Sequence, residues 1–221
     1  MKHLVLINFK TYEEGTGRKG LKLAEILNRF NSVKFQLAIA PQTVDLNPIC
    51  QKVKIPVFAQ HLDAIGAGPH TGSILPEAIK EAGAIGTLLN HSEKRIKLSE
   101  IKTALELCNQ LNLTVVVCAS SLIWVKRIAK LNPSYIAYEP KKLIGKNISV
   151  TEANPKVITK AVKIIQRINP QIKLLCGAGI HSSSDIQRAL ELGAEGVLIA
   201  HTVVKEKNTL RVLNRLFNNN N

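Results

Sequence analysis

The sequence predicts a parallel eight-stranded α/β fold closed into a (β/α)8 barrel, as one domain over residues 1–221. Three observations point there. Eight short apolar runs alternate with longer segments of helical periodicity. Most of the runs are near-continuous, as strands buried on both faces must be. Apolar residues make up 45% of the 221 and no low-complexity linker divides them, which suits one core better than two. A doubly wound open sheet fits the same alternation. However, no GxGxxG follows the first run, which weakens a dinucleotide-binding reading.

The elements follow in order. The strand candidates are His3–Asn8, Gln36–Ala40, Val57–Gln60, Gly86–Asn90, Leu113–Cys118, Tyr135–Glu139, Ile172–Cys176 and Gly196–Ala200. Between the first two, Leu23, Ile26, Leu27 and Phe30 share a helical face. After the fourth, Ile101, Ala104, Leu105 and Cys108 do the same, with Ser99 placed near the helix start but no carboxylate at Lys102 to complete a capping box. After the sixth, Ile158, Ala161, Val162 and Ile165 form a third face. After the seventh, Ser182 and Asp185 have capping-box spacing, and Gly193 sits where a helix ends.

Composition narrows the function. The apolar run after Met1 is far too short to span a membrane, and no secretory leader is legible, so a soluble cytoplasmic protein is expected. Cys50, Cys108, Cys118 and Cys176 make no CxxC pair or zinc pattern and read as reduced thiols. The formal net charge is +14. Such a field attracts small anionic substrates or, nonspecifically, nucleic acid. Lys156, Lys160, Lys163 and Arg167 fall at helical spacing, and a solvated outer face is the favoured reading of them, so nucleic acid is not an expected partner.

In a barrel of this kind, chemistry collects at the C-terminal ends of the strands. The first strand ends in Asn8-Phe9-Lys10, the fourth in Asn90-His91-Ser92-Glu93, the sixth in Tyr138-Glu139-Pro140. Singly, each is an ordinary surface or structural residue. Together they direct an amide, an ammonium, an imidazole and a carboxylate toward one mouth. Gly177-Ala178-Gly179 follows the seventh strand and Ala200-His201-Thr202 the eighth. Backbone without side chains there lets N–H groups approach a phosphate.

These segments, with Asn90-His91-Ser92-Glu93-Lys94-Arg95, Ala137-Tyr138-Glu139-Pro140 and Gly196-Val197-Leu198-Ile199-Ala200, resemble the signature segments of the triosephosphate isomerase family, in order over nearly the whole chain. The short length and Leu143-Ile144-Gly145 resemble its compact archaeal branch. The resemblance implies a TIM barrel that isomerises a triose phosphate in glycolysis and gluconeogenesis, with no metal or organic cofactor. It implies Glu139 as general base, His91 as electrophile and Lys10 facing the anionic oxygens, with Glu93 in support. Asn8 and Phe9 would position substrate and neighbours, and Ile144, Gly145, Gly179, Ala200 and His201 would hold the phosphate. The loop after the sixth strand would close over the substrate. Residues 61–74 resemble a loop that family members insert into a neighbour, which implies a homo-oligomer, a tetramer in the compact branch. The chain departs from the family at His201-Thr202, where Ser-Gly is usual, and at Lys146-Asn147, where Thr-Gly is common. Another sugar-phosphate barrel enzyme and a basic nucleic-acid-binding barrel remain the alternative readings.

Overall fold

Alternation along the first strand divides the molecule into two cores. Leu4 and Leu6 belong to an inner cluster with Ala38, Phe58, Val116 and Leu198, whereas Val5, Ile7 and Phe9 belong to the outer layer against the helices. The structure is a computed structural model and describes residues 2–140 and 155–217. Its strands are β1 (His3–Asn8), β2 (Phe35–Ala40), β3 (Phe58–Ala59), β4 (Gly86–Leu89), β5 (Thr114–Ala119), β6 (Tyr135–Tyr138), β7 (Lys173–Cys176) and β8 (Gly196–Ile199). All pair in parallel in the order β2-β1-β8-β7-β6-β5-β4-β3. A bridge between Ile39 and Val57, with the Ile39 N–H donating to Pro56 O at 3.0 Å, joins β2 to β3 and closes the ring. The closed barrel therefore holds and the open sheet does not.

Among the described residues, nine helices of four to fourteen residues run between or after these strands. They are α1 (Gly17–Asn28), α2 (Leu46–Cys50), α3 (Pro76–Glu81), α4 (Leu98–Gln110), α5 (Leu122–Ala129), α6 (Pro155–Ile168), α7 (Ser183–Glu191), α8 (His201–Val204) and α9 (Thr209–Phe217). Leu23 and Leu27 of α1 are buried as expected, but Phe30 lies past the helix end and packs edge-on against Phe217, centroids 6.0 Å apart. The cap of α4 is Lys97, two residues earlier than Ser99 suggested. Its carboxylate is Glu100, whose Oε2 accepts the Lys97 N–H at 2.6 Å. Ser182 and Asp185 cap α7 reciprocally, and Gly193 follows it at φ +96°. On α6, Ile158, Ala161 and Ile165 face inward, while Lys156, Lys160, Lys163 and Arg167 are exposed.

Packing of the barrel interior requires glycine at Gly86. A Cβ there would lie 2.6 Å from the Phe58 ring and 2.2 Å from Thr114 O, so the ring occupies the volume a side chain would need. Among the described residues, no helix is long and apolar enough to cross a membrane.

Candidate active site

The strand candidates overran the sheet at three places that matter. Asn90, Glu139 and Ala200 each lie one residue beyond the paired strand.

Lys10 takes φ +50°, a left-handed conformation that costs a non-glycine residue about 1–3 kcal/mol and persists only where its surroundings enforce it. They do. The Lys10 N–H donates to Asn8 Oδ1 at 2.9 Å, and its carbonyl accepts Gln60 Nε2 at 2.9 Å. The same Gln60 amide also donates to Ala40 O at 2.9 Å. Asn8 thus fixes the backbone of Lys10, and Gln60, which the sequence did not single out, clamps the first two strand ends. The Lys10 ammonium then lies 2.7 Å from Glu93 Oε1. Phe9, between them, is wholly buried in the outer layer, with its side chain away from the mouth.

The fourth strand end repeats the device with a residue that tolerates it better. Asn90 takes φ +56°, its amide donates to Cys118 O at 2.9 Å and its Oδ1 accepts the Ile96 N–H at 3.2 Å. Arg95 donates to Asn90 O at 2.9 Å. The turn delivers His91, and the Glu93 N–H donates to His91 Nδ1 at 3.3 Å. With Nδ1 accepting, the ring carries its proton on Nε2. That nitrogen lies 3.4 Å from Glu139 Oε1.

Glu139 is 4% exposed, an uncommon setting for a carboxylate. Its N–H donates to Ala119 O at 2.8 Å, and its Oε2 is buried with no hydrogen-bond donor among the described residues. Gly177 explains how the side chain fits. A Cβ at Gly177 would sit 2.6 Å from Glu139 Cγ. The glycine read as a phosphate-approach residue is thus, in addition, the space into which the carboxylate side chain packs. Cys118 lies under the same site. Burial holds its thiol well above the usual range, and the nearby Glu139 charge raises it further.

Asn8, Lys10, His91 and Glu139 line a cleft together with Gly179, Ile180, Ala200, His201 and Thr202. Gly179 has φ +66°. Thr202, where a glycine would leave open space, turns its hydroxyl to Ile180 O at 3.1 Å and so ties the β7 and β8 ends together. Ile144 and Gly145, and the loop expected to close, lie outside the described residues. Among the described residues no group of three or more His, Cys, Asp or Glu could hold a metal ion.

A second cleft adjoins the first and shares Asn8, Lys10 and His91 with it. Gln60, His61 and Ile74 form its far wall, and Val44, 81% exposed, its rim. Residues 61–74 start and end here. The Asp63 N–H donates to Ile74 O at 2.9 Å and Asp63 Oδ2 accepts the Ile74 N–H at 2.7 Å, while residues 66–73 are exposed.

The family model for triosephosphate isomerase matches residues 3–216. The triosephosphate isomerase of Methanocaldococcus jannaschii is 47% identical over 214 residues, 96% of this chain and 98% of that one. That of Methanobacterium bryantii is 46% identical, covering 91% and 89% of the two chains. That of Methanothermus fervidus is 42% identical, covering 96% of each.

Proposed function

The chain belongs to the triosephosphate isomerase family, isomerases that interconvert dihydroxyacetone phosphate and D-glyceraldehyde 3-phosphate in glycolysis, and we propose that here Glu139, His91 and Lys10 carry the reaction. One observation carries this assignment: within a single cleft, His91 Nε2 lies 3.4 Å from a buried Glu139 carboxylate, with the Lys10 ammonium on the same wall.

Chemistry follows from the groups present. The Glu139 carboxylate removes a proton from the carbon alpha to the substrate carbonyl. The electron pair released builds negative charge on the carbonyl oxygen, giving an enediolate. His91, donating from Nε2, stabilises that oxygen and relays protons between the two oxygens, while Lys10 offsets the charge. Glu139 returns its proton to the neighbouring carbon, so atoms and charge balance without a metal or an organic cofactor. Glu93 supports by holding the Lys10 ammonium, at 2.7 Å. Asn8 acts through the backbone of Lys10, and Phe9 anchors that turn to the outer core. The phosphate lies with Gly179, Ala200 and His201 of the same cleft; the phosphate role of Ile144 and Gly145 is carried by the family resemblance alone.

The proposal extends to assembly and place. The chain works as one domain, in the cytoplasm, as a homotetramer. The protruding residues 66–73 of one copy enter the second cleft of another, beside Lys10 and His91. A salt-laced basic surface, with the α6 cations in solvent, gives no reason to invoke a nucleic-acid partner.

The test is Glu139→Gln. An amide is close in size but cannot take up the proton, so kcat falls about 10²–10⁴-fold with circular dichroism unchanged. A folded variant with near-normal turnover would remove Glu139 as the base.

A further inference from the structure

Two histidines meet at the cleft. His181 follows β7 and His201 opens α8, and their ring centroids are 5.6 Å apart with planes tilted at 53°. His201 lines the cleft beside Gly179, Ile180 and Thr202. Its placement is held by the Thr202 bond to Ile180 O. The backbone of His181 is held by its N–H bond to Asp185 Oδ2 at 3.0 Å.

The charges around His201 come from three elements. His181 faces it from the β7 end, Lys10 from the β1 end and Lys205 from just past α8. Asp185 is turned to the α7 cap, where Oδ2 accepts the N–H groups of His181 and Ser182 and the Ser182 hydroxyl. Glu139 lines the same cleft. Partial desolvation of this still solvent-exposed ring, and then these positive neighbours, hold the His201 imidazole below its ordinary 6.5. Arrival of a dianion reverses that balance, because it replaces lost solvation and offsets the cations.

We propose that His201, backed by His181, is a titratable receptor for the phosphate dianion of the substrate. The ring takes a proton from solvent as the phosphate arrives and releases it as the product leaves. A serine at this position would offer a fixed neutral hydroxyl and no such coupling. The proposal rests on placing the phosphate with Gly179 and Ala200 in the cleft.

Sulfate tests it, since sulfate stays a dianion over the range in which imidazole titrates, about pH 5.5 to about pH 8. Its inhibition constant against glyceraldehyde 3-phosphate is measured across that range for the wild type, His201→Asn and His181→Asn. The wild type should bind sulfate about tenfold more tightly at the acid end, the scale of one charge-assisted hydrogen bond. His201→Asn should lose that dependence and change by no more than about twofold. His181→Asn should keep it with the midpoint moved to higher pH, because one positive neighbour is gone. Equal slopes in wild type and His201→Asn would overturn the proposal, and an unmoved midpoint in His181→Asn would remove the second histidine from it. Sulfate that fails to compete in all three proteins would show instead that the phosphate does not lie here.

Discussion

Gly177→Ala isolates the packing of the base from its chemistry. The added Cβ would lie 2.6 Å from Glu139 Cγ and 3.3 Å from Tyr138 O, whereas ordinary contact begins at 3.4 Å. The Tyr138 carbonyl is backbone, and it already accepts the Gly177 N–H at 3.0 Å. The Glu139 side chain is therefore the part that gives way, by at least about 0.8 Å, the difference between the two contacts. A displacement of about 1 Å in a catalytic group costs about 10²-fold in rate. Turnover by Gly177→Ala should fall on that scale, with KM changed much less, since Gly179, Ala200 and His201 are untouched. Overpacking should also cost about 1–3 kcal/mol of stability, read by denaturant melts. Steady-state isomerisation in both directions provides the assay. A variant with kcat within a factor of about two of wild type, in a folded protein, would show that the carboxylate is not held where this packing argument needs it.

Lys10→Met keeps the stem and the backbone clamps from Asn8 and Gln60 but deletes the ammonium. It should lower kcat/KM about 10²–10³-fold, as loss of one electrostatic stabiliser does, and an activity near wild type would remove Lys10 from the mechanism. The +14 net charge should speed capture of dianionic substrate, so kcat/KM should fall severalfold as a non-competing salt rises from about 10 mM to about 150 mM. A flat response would confine the charge to solubility. Light scattering at micromolar concentration should return a mass about four times 24.2 kDa, and a fully active 24.2 kDa species would refute insertion of residues 66–73 into a neighbour.

Strands were legible because burial on both faces writes itself as apolar runs, as in Leu4–Ile7 and Val115–Cys118. Their ends were less legible. Asn90, Glu139 and Ala200 continue an apolar or strand-like pattern, yet the paired strand ends one residue before each. Phe30 fits the α1 period but lies beyond the helix, half-buried against the outer core and Phe217. Within the site, residue types at strand ends were enough to single out Lys10, His91 and Glu139. Gln60 was not readable, because its part is to bridge Lys10 O and Ala40 O, which no local pattern records. Lys10 carries no local signal for φ +50° either, since lysine has no preference for that region. Gly177 was readable as a glycine that permits close approach, but what approaches is a side chain from the neighbouring strand. The His181–His201 pair spans two strands and twenty residues of sequence, so only folding brings it together.

Ring closure between β1 and β8 sets an order of events during synthesis. Leu4–Ile7 pairs with Gly196–Ile199, the last strand to be made, so one edge of β1 waits for nearly the entire chain. Until then Lys10 has no opposite wall, and an apolar edge stands open to pairing with other chains. Contacts of such long sequence separation form slowly. The cleft is complete only once β8 has paired with β1.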